Sequence, residues 1–247
     1  MATTERRTET ATALTSASAL QGAWWKWGMG AVMCFVIYGA FFYAGGAAGF
    51  GPAGDIARIV FFHVPSAILS SVCYFVGAYF AGVYLFKQNA PRKAAEIDAK
   101  SAIAMELGFT FCTLATITGS IFAGMQWGSY WNWDPREISI VIMLLLYASY
   151  LVLRGALANS PEKRAKLAAV YALVALVPAQ YLIWAVTRIV PATMHPKNPL
   201  FEKESLSTSY KIVLYSSFLA FTLLYIWISQ LRFRAYKIRT SREGTRG

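Results

Sequence analysis

Six stretches of this chain are apolar over lengths that fit a bilayer crossing, and that fixes the class of fold before any single residue is considered. They are residues 27–50, 59–86, 107–125, 138–153, 167–187 and 212–231. A hydrocarbon core about 30 Å thick asks for roughly 20 apolar residues per helix. The fourth run is short and becomes adequate if its helix starts at Pro135. The chain as a whole is 57% hydrophobic and only 14% charged, where a soluble domain carries about 25% charged residues. The expected fold is therefore all-α: a polytopic integral membrane protein with six transmembrane helices. Residues 1–26 are polar and rich in Thr, Ser and Ala, which predicts a disordered tail. The first apolar run is longer than a signal-peptide core and lacks a clear cleavage site after it, so it reads as a span. Residues 27–231 make the membrane domain and 232–247 a basic tail.

Charge sets the expected orientation. Of the 23 Lys and Arg, 17 fall in the two tails and in the second and fourth loops, and 6 in the other three loops. The positive-inside rule then places both termini in the cytoplasm. The net charge of +11 is accounted for by this anchoring against membrane lipid, and nucleic acid is not an expected partner. No apolar run carries an acidic or basic residue near its middle, which argues against a pump or ion-coupled transporter.

One loop on the opposite, outer side concentrates unusual residues. In Trp127-Gly128-Ser129-Tyr130-Trp131-Asn132-Trp133-Asp134-Pro135-Arg136-Glu137, three tryptophans and a tyrosine fall within seven residues. A helix start follows: Asp134 suits the N-cap, Pro135 the first helical position, and Glu137 the closing of a capping box. The bare N–H groups of that start carry partial positive charge and suit an anion. Flat aromatic surface beside an anion site describes a receptor for a large planar acid, and haem, an apolar macrocycle with two propionates, is one. By contrast, Trp24, Trp25 and Trp27 beside Lys26 read as an inner interfacial belt with no chemistry.

The chain has two histidines, His63 and His195, and both fall on the outer side with the tryptophans. Imidazole is a standard axial ligand for haem iron. Two of them could approach one porphyrin from its two faces. Trp127 and Trp131, four apart, would share a face if helical. Arg58, Arg136 and Arg188 lie near the same level and could pair with carboxylates. Zinc fits poorly, because no standard zinc spacing is present. The three cysteines, Cys34, Cys73 and Cys112, each sit inside an apolar run as small buried hydrophobes. None belongs to a C-x-x-C or C-x-x-C-H motif, so a covalent c-type haem and dithiol chemistry are not expected. The bound form would be non-covalent haem b.

The string Trp127-Gly128-x-x-Trp131-x-Trp133-Asp134, with the His63-Val64-Pro65 segment and six spans, resembles the tryptophan-rich WWD family of cytochrome c biogenesis, in the form of its haem-handling CcmC branch. The resemblance extends over residues 27–231. It implies haem held on the periplasmic face of the bacterial inner membrane, with His63 and His195 as axial ligands and Trp127, Gly128, Trp131, Trp133 and Asp134 as the loop around it. It implies delivery to the haem chaperone CcmE, with the ABC-type subunits CcmA and CcmB and the small subunit CcmD as partners, and a carrier rather than an enzyme. Asp134-Pro135-Arg136-Glu137 is closer in wording to the larger cytochrome c synthase branch. A compact haem lyase subunit and a haem-translocating channel are therefore the alternatives.

Overall fold

The computed structural model describes residues 24–45, 54–87, 89–190, 193–195 and 206–244. Most of the N-terminal tail, and Pro191, Pro196 and Pro199 of the long loop before the last helix, lie outside the described residues. Those that are described form helices and turns, with no strand among them. Six helices are long and apolar enough to span a membrane. They are α1 (Trp24–Tyr43), α2 (Val60–Phe86, led in by a short 3-10 turn, Ile56–Ile59), α3 (Pro91–Trp127), α4 (Pro135–Ala156), α5 (Pro161–Val186) and α6 (Thr208–Gly244).

Local chemistry explains the boundaries. α3, α4 and α5 each begin with proline at the first helical position, where its fixed φ fits and its missing N–H costs nothing. α3 stops at Trp127 because Gly128 turns the chain left-handed at φ 78°, a conformation glycine adopts without penalty. The fourth span does start at Pro135. Pro178, inside the fifth, is followed by a π-helical stretch, Tyr181–Val186. That widened turn is tied to α2 by polar bonds: the Ser71 hydroxyl donates to Gln180 Oε1 at 2.5 Å, and Trp184 Nε1 donates to the Ser71 hydroxyl at 2.9 Å.

The antiparallel pair α2–α3 is the centre of the bundle. On one side α4 and α5 pack against it around Tyr74, Met105, Met143, Tyr147 and Tyr150. α5 contributes a stripe of buried alanines, Ala165, Ala168, Ala169, Ala172, Ala175 and Ala179, small enough to bring two backbones close. On the other side α1 and α6 close over Phe61, Tyr210 and Val213, while Leu69, Phe111 and Phe221 join α2, α3 and α6. Cys73 and Cys112 are buried as expected, but Cys34 is exposed. Its position on the outward side of α1 corrects the reading of all three as core.

The two longest helices extend well beyond a bilayer crossing. α3 and α6 have 37 residues each, about 55 Å at the helical rise. The last helix therefore runs on through the basic segment from Arg232 to Gly244. At this end Arg232 pairs with Glu106, Lys237 with Glu96 at 3.6 Å, and Lys100 lies 5.0 Å from the Phe233 ring centre. The bundle thus has a basic end, built on these extensions, and an aromatic end, where α3 hands over to α4.

Candidate functional site

The loop between α3 and α4 is built by short polar bonds around its rings. Ser120 Oγ, two turns back in α3, donates to the Tyr130 carbonyl at 2.7 Å. Ser129 Oγ donates to the Trp131 carbonyl at 2.8 Å, and Asn132 Nδ2 to the Ser129 carbonyl at 2.9 Å. Trp133 takes a left-handed backbone, φ 57°, which is uncommon for a bulky residue. The residue is 74% exposed and Tyr130 67%. Trp131 and Trp133 meet edge to face, 5.9 Å between centroids.

Asp134 ends the loop and is its hub. It caps α4 by accepting from the Arg136 N–H at 2.9 Å, and the Glu137 carboxylate completes the capping box while also accepting from the Asn132 N–H at 2.7 Å. The same aspartate accepts from the Thr193 hydroxyl at 2.9 Å and the Met194 N–H at 2.7 Å, and faces His195 Nδ1 at 3.0 Å. It is 4% exposed. Burial by itself would raise this carboxyl, but the N–H groups of Arg136 and Met194, His195 and the Thr193 hydroxyl together hold it below the ordinary range. The helix start therefore has its own carboxylates in place. That corrects the expectation that bare N–H groups there await a propionate.

His195 is fixed by this contact. Burial lowers its pKa below the ordinary value, Asp134 opposes that, and Arg136 adds to the lowering. A pKa below the ordinary 6.5 favours the neutral ring at pH 7. An ionised carboxylate can only accept, so the single ring proton sits on Nδ1 and the lone pair on Nε2. Trp127 packs edge to face on the imidazole, 5.1 Å between centroids.

His63 reaches the same state by a different route. It lies in the first turns of α2, where its Nδ1 meets the Ala115 carbonyl of α3 at 3.0 Å and the Thr118 hydroxyl at 3.2 Å. A carbonyl also only accepts, so Nδ1 again carries the proton and Nε2 the lone pair. The ring lies against Gly119, where an added Cβ would fall 2.8 Å from His63 Cε1. Gly119 is eight residues before Trp127, about 12 Å along the helix, so His63 sits deeper in the bundle than the loop. It is within electrostatic reach of His195 and Arg136.

Other expected residues are placed differently. Trp127 and Trp131 do not share a helical face, because the left-handed Gly128 separates them. Arg58 is engaged elsewhere: its guanidinium donates to the Phe41 carbonyl at 2.7 Å and pairs with Asp55 at 2.9 Å, joining α1 to the start of α2. Arg188 turns back onto its own helix, to the Trp184 carbonyl at 3.3 Å and over the Trp184 ring. Arg136 stands beside Asp134 and Arg188. Sequence reading missed Thr193, Ala115 and Gly119. Thr110, Thr113, Thr116 and Thr118 bond their own helix backbone; the second role of Thr118 is visible only with His63 opposite.

The fold and site define a class: a six-helix membrane protein offering two imidazole Nε2 lone pairs at an end crowded with tryptophan. The chain belongs to the heme exporter protein C family, CcmC, whose family model matches residues 8–246. It is 32% identical to heme exporter protein C of Bradyrhizobium diazoefficiens over 70% of this chain and 64% of that protein. It is 29% identical to the Paracoccus denitrificans protein of the same name over 73% of each. It is also 34% identical to cytochrome c biogenesis protein CcsA of Chlamydomonas reinhardtii, over 45% of this chain and 34% of that one. The chain thus spans between about a third and three quarters of these relatives. The family model and these relatives are named for haem export and cytochrome c biogenesis.

Proposed function

We propose that this protein binds haem b non-covalently between His63 and His195 and passes it to the haem chaperone CcmE. The carrying observation is that each Nδ1 faces a fixed acceptor; the tautomer this favours leaves each Nε2 lone pair for iron. An acceptor on the far ring nitrogen orients a ligating imidazole and raises its basicity. The donor set therefore fits haem iron. Trp127, Gly128, Trp131 and Trp133 supply the apolar surround, and Asp134 holds His195 in place. Arg136 and Arg188 are the arginines best placed for propionates; Arg58 would have to leave Asp55 first. His63 and His195 would hold the iron of a bound haem, which would supply the coordination chemistry; the protein's part is to orient both rings and exclude water with the indoles.

In this reading the aromatic end faces the periplasm and both termini the cytoplasm, and the excess of Lys and Arg in the tails and in the second and fourth loops supports it. Partners in this reading are CcmE, CcmA, CcmB and CcmD. The test is an absorption spectrum of the purified full chain. His63→Ala and His195→Ala should each shift the bound haem away from a low-spin spectrum, and added imidazole should restore it. The reading fails if both variants keep the parent spectrum.

The kinship with CcsA and the Asp134-Pro135-Arg136-Glu137 wording favour one second reading, a compact haem lyase subunit. Product formed directly on an apocytochrome with a C-x-x-C-H site would decide for it.

A further inference from the structure

A cavity of about 1050 Å³ opens at the basic end, far from the histidines. Its walls are the start of α3, the end of α4, the start of α5 and the extension of α6. The floor is apolar, with Ala99, Ala102, Ile103 and Leu151, and the charged lining includes Arg154, Arg164, Arg232 and Arg239. Two of these cations are already neutralised. Arg154 holds Asp98 in a two-pronged bond, 2.7 and 2.9 Å, and Arg232 pairs with Glu106. Arg164 Nε, in contrast, is buried with no hydrogen-bond partner among the described residues, a state proteins rarely tolerate without a ligand or water. Arg239, exposed on α6, acts electrostatically on the same Tyr236 as Arg164. Two helix starts add partial positive charge. Ala90 and Ser160 occupy the N-cap positions of α3 and α5 without a side-chain cap bond, so neither N-cap side chain satisfies the first-turn N–H groups. Glu162 is the remaining carboxylate of the lining and stands exposed in the first turn of α5.

We infer that this cavity binds a phosphate group through Arg164, Arg239 and the start of α5, carried by an anionic phospholipid of the adjoining leaflet or free in solution. The apolar floor suits the glycerol and upper chains of a lipid. Under the positive-inside rule this end meets the cytoplasmic leaflet, where basic pockets between helices take such head groups.

The test uses the full chain purified in a neutral detergent and phosphate-free buffer. Thermal unfolding is followed while dioctanoyl phosphatidylglycerol, dioctanoyl phosphatidylcholine or inorganic phosphate is titrated. A saturable upward shift with phosphatidylglycerol alone identifies a lipid; a shift with inorganic phosphate as well identifies the free anion as sufficient. Arg164→Gln and Arg239→Gln should each raise the half-saturating concentration at least about fivefold. Arg234→Gln, on α6 but outside the lining, should leave it unchanged. The haem spectrum serves as the folding check, and if Arg164→Gln cannot be purified, the exposed Arg239→Gln decides alone. No saturable shift with phosphatidylglycerol or phosphate, a shift with phosphatidylcholine equal to that with phosphatidylglycerol, or unchanged titrations in the Arg164 and Arg239 variants, would overturn the assignment.

Discussion

His63 and His195 present the same atom from opposite kinds of seat. His63 is held by a helix backbone: a carbonyl fixes its proton, and Gly119 gives it room. His195 is held by a charge on a loop, through a carboxylate that also caps α4 and gathers Thr193 and Met194. The first seat is a product of helix packing and has no separate switch. The second depends on one side chain and its ionisation. Asp134 also makes His195 the more electron-rich of the two donors. A site made this way has one permanent half and one conditional half.

Asp134 is where the contrast breaks most completely. Asp134→Ala removes the cap, the loop contacts and the His195 orienter together. It should cost about 2–4 kcal/mol of stability and abolish the His195 contribution to the haem spectrum, while His63 still binds. Asp134→Asn separates the two effects. Its amide can keep the cap but can also donate to Nδ1, moving the ring proton to Nε2. Stability should fall by less than in the alanine variant, and the spectrum should still match that of His195→Ala. Chemical unfolding paired with the spectrum checks both, and an Asn variant with the parent spectrum would remove the tautomer argument.

Gly119→Ala strikes the other seat. The new methyl must displace the His63 ring by several tenths of an ångström, at a cost of about 1–3 kcal/mol. The spectrum should move toward that of His63→Ala with the His195 signal intact. A parent spectrum would show that the ring can give way freely.

Acid should sharpen the asymmetry more gently. Both Asp134 and His195 have folded pKa values below their ordinary ones. Their contribution to stability is therefore fully present above the ordinary values and is lost as pH falls through the folded ones. In His63→Ala, haem held by His195 should be indifferent to pH from 8 down to about 6.5, then weaken on further acidification as Nε2 takes a proton. Weakening that begins above pH 7 would contradict the neutral, carboxylate-held ring. The smallest effect is expected of Thr118→Val, about 0.5–1 kcal/mol, because the Ala115 carbonyl remains to fix the His63 proton. Spectral change there as large as in Gly119→Ala would make the hydroxyl the primary acceptor.

Much of this was legible in the sequence where the signal is local. Six apolar runs predict six spanning helices, and Asp134, Pro135 and Glu137 mark the start of α4 to the residue. What escaped was set by contacts between distant segments. The left-handed Gly128 divides Trp127 from Trp131, although their spacing suits one helical face. The capping box that located the helix start also occupies the N–H groups that a propionate would need. Ala115 and Gly119 are ordinary helix residues until His63 is laid against them. Thr193 acquires its role only when the last loop returns to Asp134, 59 residues earlier. The exposed extension of α6 looked like a tail because polarity alone does not distinguish a solvated helix from a free chain.

Trp133 carries an implication about selection. A left-handed backbone costs a residue with a Cβ about 1–2 kcal/mol that glycine escapes, and its mostly exposed ring recovers little of that by packing within the chain. A sequence improved for folding alone would place glycine there and gain stability. Under the proposed function, haem lying against the indole would offset that cost. Among variants screened for thermal resistance, Trp133→Gly is the substitution that should rise to the top while haem retention declines.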